Sequence, residues 1–253
     1  MAHYYPVFLD LRQRLCLVVG GGELAAGKLP ELLAAGARVV VVAERPSPAI
    51  EALARAGRLR LRRRAYRDGD LAGAFLAIAA FDAAASPLDP SGTTNANDAS
   101  AAAPAATAAD GGAGGTDWRE AVWREAERRG LPLNSIDDPR RSSFIAGSVL
   151  RRGDLAVAIS TAGKAPALAV RLRQWLEGVL GAHHARFLEL AGSVRAALAA
   201  QRPDLSRRRE LWYRLVDSDV LDLLQHGDEP AARRRFAEIL GVEPVAPTEE
   251  AQC

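Results

Sequence analysis

Three consecutive glycines, Gly20-Gly21-Gly22, sit between a short apolar run and a helical pattern, and few folds place glycines there. The run before them, residues 15–19 (LCLVV), is valine-rich and ends at glycine, which reads as a buried parallel strand. After them, residues 23–35 (ELAAGKLPELLAA) put Leu24, Leu29, Leu32 and Leu33 on one helical face. Pro30 inside that pattern predicts a kink, and Gly36 a stop. Residues 38–43 (RVVVVA) read as a second buried strand. Residues 47–56 read as a helix capped by Ser47, with Pro48 at its first position. Residues 58–64 (RLRLRRR) alternate, so Leu59 and Leu61 face inward, and the arginines are expected to be the solvated face of an edge strand, with attraction of a polyanion the other reading. Residues 75–80 (FLAIAA) form a further apolar strand. Strands alternating with helices predict a parallel sheet with helices on both faces.

From Ala83 to Thr116 the pattern breaks into Ala, Gly, Ser, Thr, Asn, Asp and Pro, with Leu88 the one large apolar side chain. Such a segment has too little apolar surface to offset its ordering entropy, and is expected to be a low-complexity surface insertion. Residues 117–129 (DWREAVWREAERR) restore a helix, and 131–136 (LPLNSI) a strand that ends at Asp137-Asp138-Pro139. The spacing then predicts a short helix over 142–150, a strand over 155–160 (LAVAIS) and an amphipathic helix over 166–180 opened by Pro166. From His183 the chain reads as helical, ending in a frayed tail. The expected fold class is α/β: a parallel-sheet nucleotide-binding domain over 1–139 interrupted at 83–116, a small α+β segment over 140–180, and a helical domain over 181–253.

Composition narrows the function. With 253 residues, the chain is long enough to bury a sizeable core. Lys and Arg total 33 against 31 acids, a near balance that argues against a dedicated nucleic-acid binder. Only Lys28 and Lys164 are lysines, so abundant arginine is a compositional habit of the chain and carries little functional weight. Two cysteines, Cys16 and Cys253, exclude a disulfide framework and a cysteine-rich metal site. His3, His183, His184 and His226 show no metal-ligand spacing, so no metal ligand is assigned. No run approaches the ~18 apolar residues of a membrane span. The start, MAHYYPVFLDL, lacks the basic and apolar regions of a signal peptide, so the expected location is the cytoplasm.

Gly20-Gly21-Gly22-Glu23-Leu24-Ala25 fits G-x-G-x-x-A between strand and helix. In such a dinucleotide-binding, Rossmann-like turn the first glycine makes the tight turn and the second lets a pyrophosphate approach the backbone. A small residue at Ala25 keeps helix and strand close, and the helix N-terminus faces the phosphates. An acid should follow the second strand to meet the ribose 2′-hydroxyl; Glu44 stands 22 residues after Gly22, with Arg45 beside it. At the end of a later strand, Asp137 is a candidate general base, although Asp-Asp-Pro is also ordinary turn chemistry. Ser160-Thr161-Ala162-Gly163-Lys164 precedes a helix and is a candidate carboxylate-binding loop or a plain connection.

Together these segments resemble the precorrin-2 dehydrogenase / sirohydrochlorin ferrochelatase family, the N-terminal module of siroheme synthases. The resemblance is carried by Tyr5 through Leu11, Cys16 through Glu23, Lys28, Ala35 through Val39, Leu76 through Ala80, Asn134 through Pro139, Ser143-Phe144-Ile145, Arg152 through Thr161, Gly163-Lys164 and Pro166 through Ala169. It implies NAD-dependent dehydrogenation of precorrin-2, a tetrapyrrole with eight carboxylates, to sirohydrochlorin. It assigns the acid/base role to Asp137. It carries cofactor contacts onto Gly20 through Ala25, Glu44, Ala80 and Phe81, and substrate contacts onto Asn134, Ser143, Phe144, Thr161, Gly163 and Lys164. It also implies a homodimer joined through about 140–180. The chain departs from the family at Phe81, where a Thr is usual, and at Ala165, where a Ser is usual. Two other readings stay open: an enzyme that also inserts Fe²⁺ into sirohydrochlorin, and a non-catalytic dinucleotide- or tetrapyrrole-binding derivative of the family.

Overall fold

A computed structural model describes residues 4–80 and 118–245. Phe81 and the insertion expected at 83–116 lie outside the described residues, as does the tail from residue 246. The chain divides into two compact units, residues 1–147 with 160–168, and residues 148–159 with 169–253. The segment expected at 140–180 is thus shared between them.

The first unit is built on a parallel sheet of order β3-β2-β1-β4-β5. Its strands are β1 (Leu15–Val19), β2 (Arg38–Val42), β3 (Arg60–Arg62), β4 (Leu76–Ala79) and β5 (Leu133–Ser135). Strand alternation sorts the core onto two faces. Cys16 and Val18 of β1 join Val39 and Val41 of β2 and pack against Ala25, Leu29 and Leu32 of α1 (Glu23–Ala34) and Ile50 of α2 (Pro48–Arg55). Leu17 and Val19 face the other way, with Val40, Val42 and Ala77, onto Val122 and Ala126 of α3 (Trp118–Arg129). Both faces are therefore covered, which is why β1 and β2 read as unbroken apolar runs. Ser47 caps α2, its hydroxyl accepting from the Ile50 N–H, as its position implied. Helix α1 continues through Pro30, which is exposed; the apolar stripe holds the helix while the ring takes the solvent side.

The arginine run does not simply face solvent. Asp70, buried, accepts from Arg62 Nη1 at 2.8 Å and from Arg64 at 2.6 and 2.7 Å, and Arg63 reaches Glu51 at 2.6 Å. The connection after β3 is fastened to α3 by the fully buried Glu125. It accepts from the Tyr66 hydroxyl, from the Gly69 N–H at 2.8 Å and from Arg129 Nε at 2.7 Å.

A short helix was expected over 142–150, and the structure corrects this. A single 3-10 turn occupies Pro139–Arg141, and Ser148–Arg152 forms β6, paired antiparallel with β7 (Leu155–Ile159) through Val149↔Ala158 and Leu150↔Val157. The residues between are drawn out against β5: the N–H groups of Ser143 and Phe144 both bond the Leu133 carbonyl, at 2.8 and 3.4 Å.

In the second unit that hairpin accompanies α4 (Pro166–Val179), which begins in the first unit, and a helical bundle of α5 (Ala182–Gln201), α6 (Leu205–Val216), α7 (Val220–Gln225) and α8 (Glu229–Leu240). Leu190, Val194 and Leu198 of α5 meet Leu211, Leu215, Val220, Leu224, Ala232, Phe236 and Leu240 in one buried cluster. Arg186 of α5 binds Glu229 of α8 at 2.5 and 2.8 Å, joining the bundle's first and last helices.

Candidate functional site

Parallel strands put every strand's carboxyl end on one edge of the sheet, and β2 and β4 leave β1 in opposite directions, so a crevice opens between β1 and β4. Gly20 follows β1 there, its N–H donating to the Val42 carbonyl at 3.0 Å. It has φ +124, and a side chain on it would run into the backbone of Ala80. Gly21 is closed in from the other side, where a Cβ would lie 2.5 Å from the Arg45 carbonyl oxygen. Its own carbonyl accepts from the Ser47 N–H at 2.6 Å, so the turn and the loop after β2 are one assembly. Gly22 stands at the N-cap of α1 and places no side chain between the helix start and a ligand. Ala25 is fully buried against the sheet, as close helix–strand packing requires.

Glu44 is exposed at the end of β2, on the same edge. Ala80 is buried, its N–H bonded to the Val19 carbonyl at 2.8 Å. Glu23 and Leu24 lie in the first turn of α1. The residues present thus fit a dinucleotide: a tight turn of small residues, a helix start that Gly22 leaves sterically open and an acid one strand over. Phe81, a cofactor contact that the resemblance implies, lies outside the described residues.

Asp137 leaves β5 on this same edge, two strand spacings or roughly 10 Å from β1. It is exposed, its carboxylate takes no hydrogen bond or ion pair among the described residues, and its backbone is left-handed at φ 62. A carboxylate left open at this edge is chemically able to accept a proton.

The other candidates divide. Asn134 is buried and donates from Nδ2 to the Phe144 carbonyl at 3.0 Å. Ser143 Oγ accepts from the Leu133 N–H at 2.8 Å and donates back to the Leu133 carbonyl at 3.3 Å, and Phe144 packs against the core on the α1 side. These three therefore already serve the frame around β5. Thr161, Gly163 and Lys164 occupy the loop before α4, grouped with the sheet unit. There Thr161 Oγ1 accepts from the Ala165 N–H at 3.3 Å, and Ala162 and Gly163 are both left-handed. Sequence reasoning missed Ser135, whose buried hydroxyl has no partner among the described residues; a serine in an apolar strand gave no signal. It also missed Ser142 and Arg141, which hold the Asp137 loop. Cys16 is excluded as a nucleophile, since burial pushes its thiol up to about 11.

A glycine turn at a helix start, an acid after the second strand and a parallel sheet of this order define a dinucleotide-binding α/β domain. Comparison with known proteins carries this further. Residues 7–87 match a family model described as "Putative NAD(P)-binding", residues 152–178 one described as the central region of sirohaem biosynthesis proteins, and residues 183–240 one described as the sirohaem synthase dimerisation region. The siroheme synthase of Chromobacterium violaceum is 34% identical over 230 residues, which are 91% of this chain and 42% of that protein. Siroheme synthase 1 of Serratia proteamaculans is 34% identical over 237 residues, 94% of this chain and 43% of that one. The chain therefore spans about two fifths of the length of these relatives. Over that span it is similar to the siroheme synthases, with an NAD(P)-binding region, a sirohaem-biosynthesis central region and a sirohaem synthase dimerisation region in that order along the chain. A solved structure, "SirC, precorrin-2 dehydrogenase", shares the fold at a TM-score of 0.65 and 22% identity, covering 94% of this chain and all of that one. Among the described residues no helix is long and apolar enough to cross a membrane.

Proposed function

We propose that the chain is an NAD-dependent dehydrogenase that converts precorrin-2 to sirohydrochlorin. The observation that carries this reading is the placement of Asp137, unengaged and left-handed, on the sheet edge that also bears the Gly20–Gly22 turn and Glu44. The relatives' names and the fold shared with a precorrin-2 dehydrogenase support it.

NAD⁺, when bound, supplies the hydride acceptor. The N–H groups at the start of α1 and the helix dipole hold its pyrophosphate, and Glu44 receives a ribose hydroxyl. Oxidation of the reduced macrocycle removes a hydride and a proton together, and the Asp137 carboxylate accepts the proton. Lys164, at the head of α4, and Arg140, exposed beside Asp137, are cations suited to the carboxylates of such a substrate.

The chain acts as a homodimer. Leu168, Leu172, Trp175 and Val179 recur at helical spacing along α4, all exposed, and this apolar stripe suits a second copy of the chain. The dimerisation region of the family model lies just beyond it, at 183–240. Iron insertion is a second reading, favoured by the same carboxylate: Asp137 is open to take the protons that Fe²⁺ would displace from the macrocycle.

An anaerobic assay of the purified chain with precorrin-2 and NAD⁺ tests the main reading. NADH should accumulate in step with sirohydrochlorin, and no NADH at high enzyme concentration would end it. Sirohydrochlorin with Fe²⁺ in the same vessel tests the second.

A further inference from the structure

The left-handed backbone of Asp137 needs something to hold it, and the residues after it form a closed fastening. Asp138 N–H donates to the Ser135 carbonyl at 3.1 Å. Ser142 Oγ accepts from the Ser135 N–H at 2.9 Å and faces the carbonyls of Ser135 and Asp138 at 3.0 and 2.9 Å. These bonds close the loop on itself. One side chain then ties it to a different element. Arg141 gives Nη1 to the Asp138 carboxylate at 2.7 Å, and Nε and Nη2 to Glu120 of α3 at 3.2 and 3.1 Å. Its guanidinium lies over the Trp123 ring, 6.0 Å from the centroid.

We propose that Arg141 is a positioning residue: by gripping Asp138 and Glu120 at once, it fixes the Asp137 carboxylate relative to α3 and the sheet edge. The proposal rests on the dehydrogenase reading. The fork geometry is what the role requires, because two carboxylates on separate elements are held by separate edges of one planar group. Arg141 is partly exposed, and such ion pairs contribute little to global stability. Loss of the grip should therefore show in turnover rather than in folding.

The test uses Arg141→Ala, Arg141→Lys and Glu120→Gln beside the wild type. Arg141→Ala should lower kcat by about 10- to 100-fold, since misplacement of a reacting group by about 1 Å costs on that scale. KM for NAD⁺ and the melting temperature should stay near wild type. Arg141→Lys restores one contact but not both and should recover part of kcat; Glu120→Gln should lie between. Hydrogen exchange of the 136–142 amides, followed without substrate, should quicken in Arg141→Ala. Wild-type kcat in Arg141→Ala overturns the positioning role while leaving the dehydrogenase reading intact. An inactive wild type overturns that reading and the catalytic part of this one. Unchanged exchange overturns the fastening itself.

Discussion

Gly20 and Ala80 meet backbone to backbone at the ends of β1 and β4, with the space for a Cβ on Gly20 already taken by the Ala80 carbonyl group. The first glycine of the turn is thus fixed by the protein's own neighbouring strand before any phosphate arrives. Gly20→Ala adds a strained φ to that overlap and should destabilise the sheet unit by about 3 kcal/mol. In a thermal melt this is a fall of roughly 6–12 °C. A shift within 2 °C would mean that β4 yields easily.

Asp137→Asn keeps shape and removes the proton acceptor. Turnover of precorrin-2 should drop by roughly 10²–10⁴ while the Kd for NAD⁺ stays at the wild-type value. Stopped-flow NADH formation and a binding titration separate the two. Wild-type rates in this variant would place the proton elsewhere.

Glu44→Gln should weaken NAD⁺ by roughly 10-fold, because a hydrogen bond to a charged acceptor is worth about 1.5–3 kcal/mol. It should also narrow any preference over NADP⁺, since the carboxylate that repels a 2′-phosphate is gone and Arg45 remains. Parallel titrations with both dinucleotides give the answer; identical constants for wild type and variant would detach Glu44 from the ribose.

Glu125→Ala removes the shared partner of the half-buried Tyr66 hydroxyl, the Gly69 N–H and the Arg129 guanidinium. Because the groups left behind are half-buried or exposed, the loss should be about 1–3 kcal/mol, readable by denaturant titration of the sheet unit. Tyr66→Phe, which removes one partner only, should cost about 1 kcal/mol.

Acid should loosen the helical unit through Glu229. Hydrogen bonds from Arg186 and then Arg233 hold its carboxyl down to about 2, from an ordinary 4.5. A depressed folded-state value means the stabilisation is complete above 4.5 and is lost as pH falls from there through about 2. The pair is about a third exposed, so the loss is about 1 kcal/mol after solvent screening. Glu229→Gln should lower stability at neutral pH and flatten this limb of the melting curve.

How much of this was legible in the chain depended on how local each cause was. The β1–glycine–α1 unit could be read because valine runs, glycine and helical spacing act within a dozen residues. Ser47 as a cap, likewise, needs only the N–H three residues on. The segment 142–150 misled because its apolar residues look helical at short range, while their conformation is set by pairing with β7 and by bonds to Leu133. Asp137 could be named but not its left-handed backbone, which Ser142 and Arg141 stabilise through partners on β5 and α3. The arginines at 62–64 looked like solvated surface because Asp70 and Glu51, which they bind, lie outside the alternating strand pattern.

The hydroxyls of Ser142 and Ser143 have an effect beyond the crevice. β5 is the outermost strand on its side, and its outward N–H groups at Leu133 and Ser135 are taken by those two hydroxyls. A strand from another molecule would find those two donors already taken, so this edge of the sheet is blunted against edge-to-edge pairing by serine side chains rather than by an extra strand.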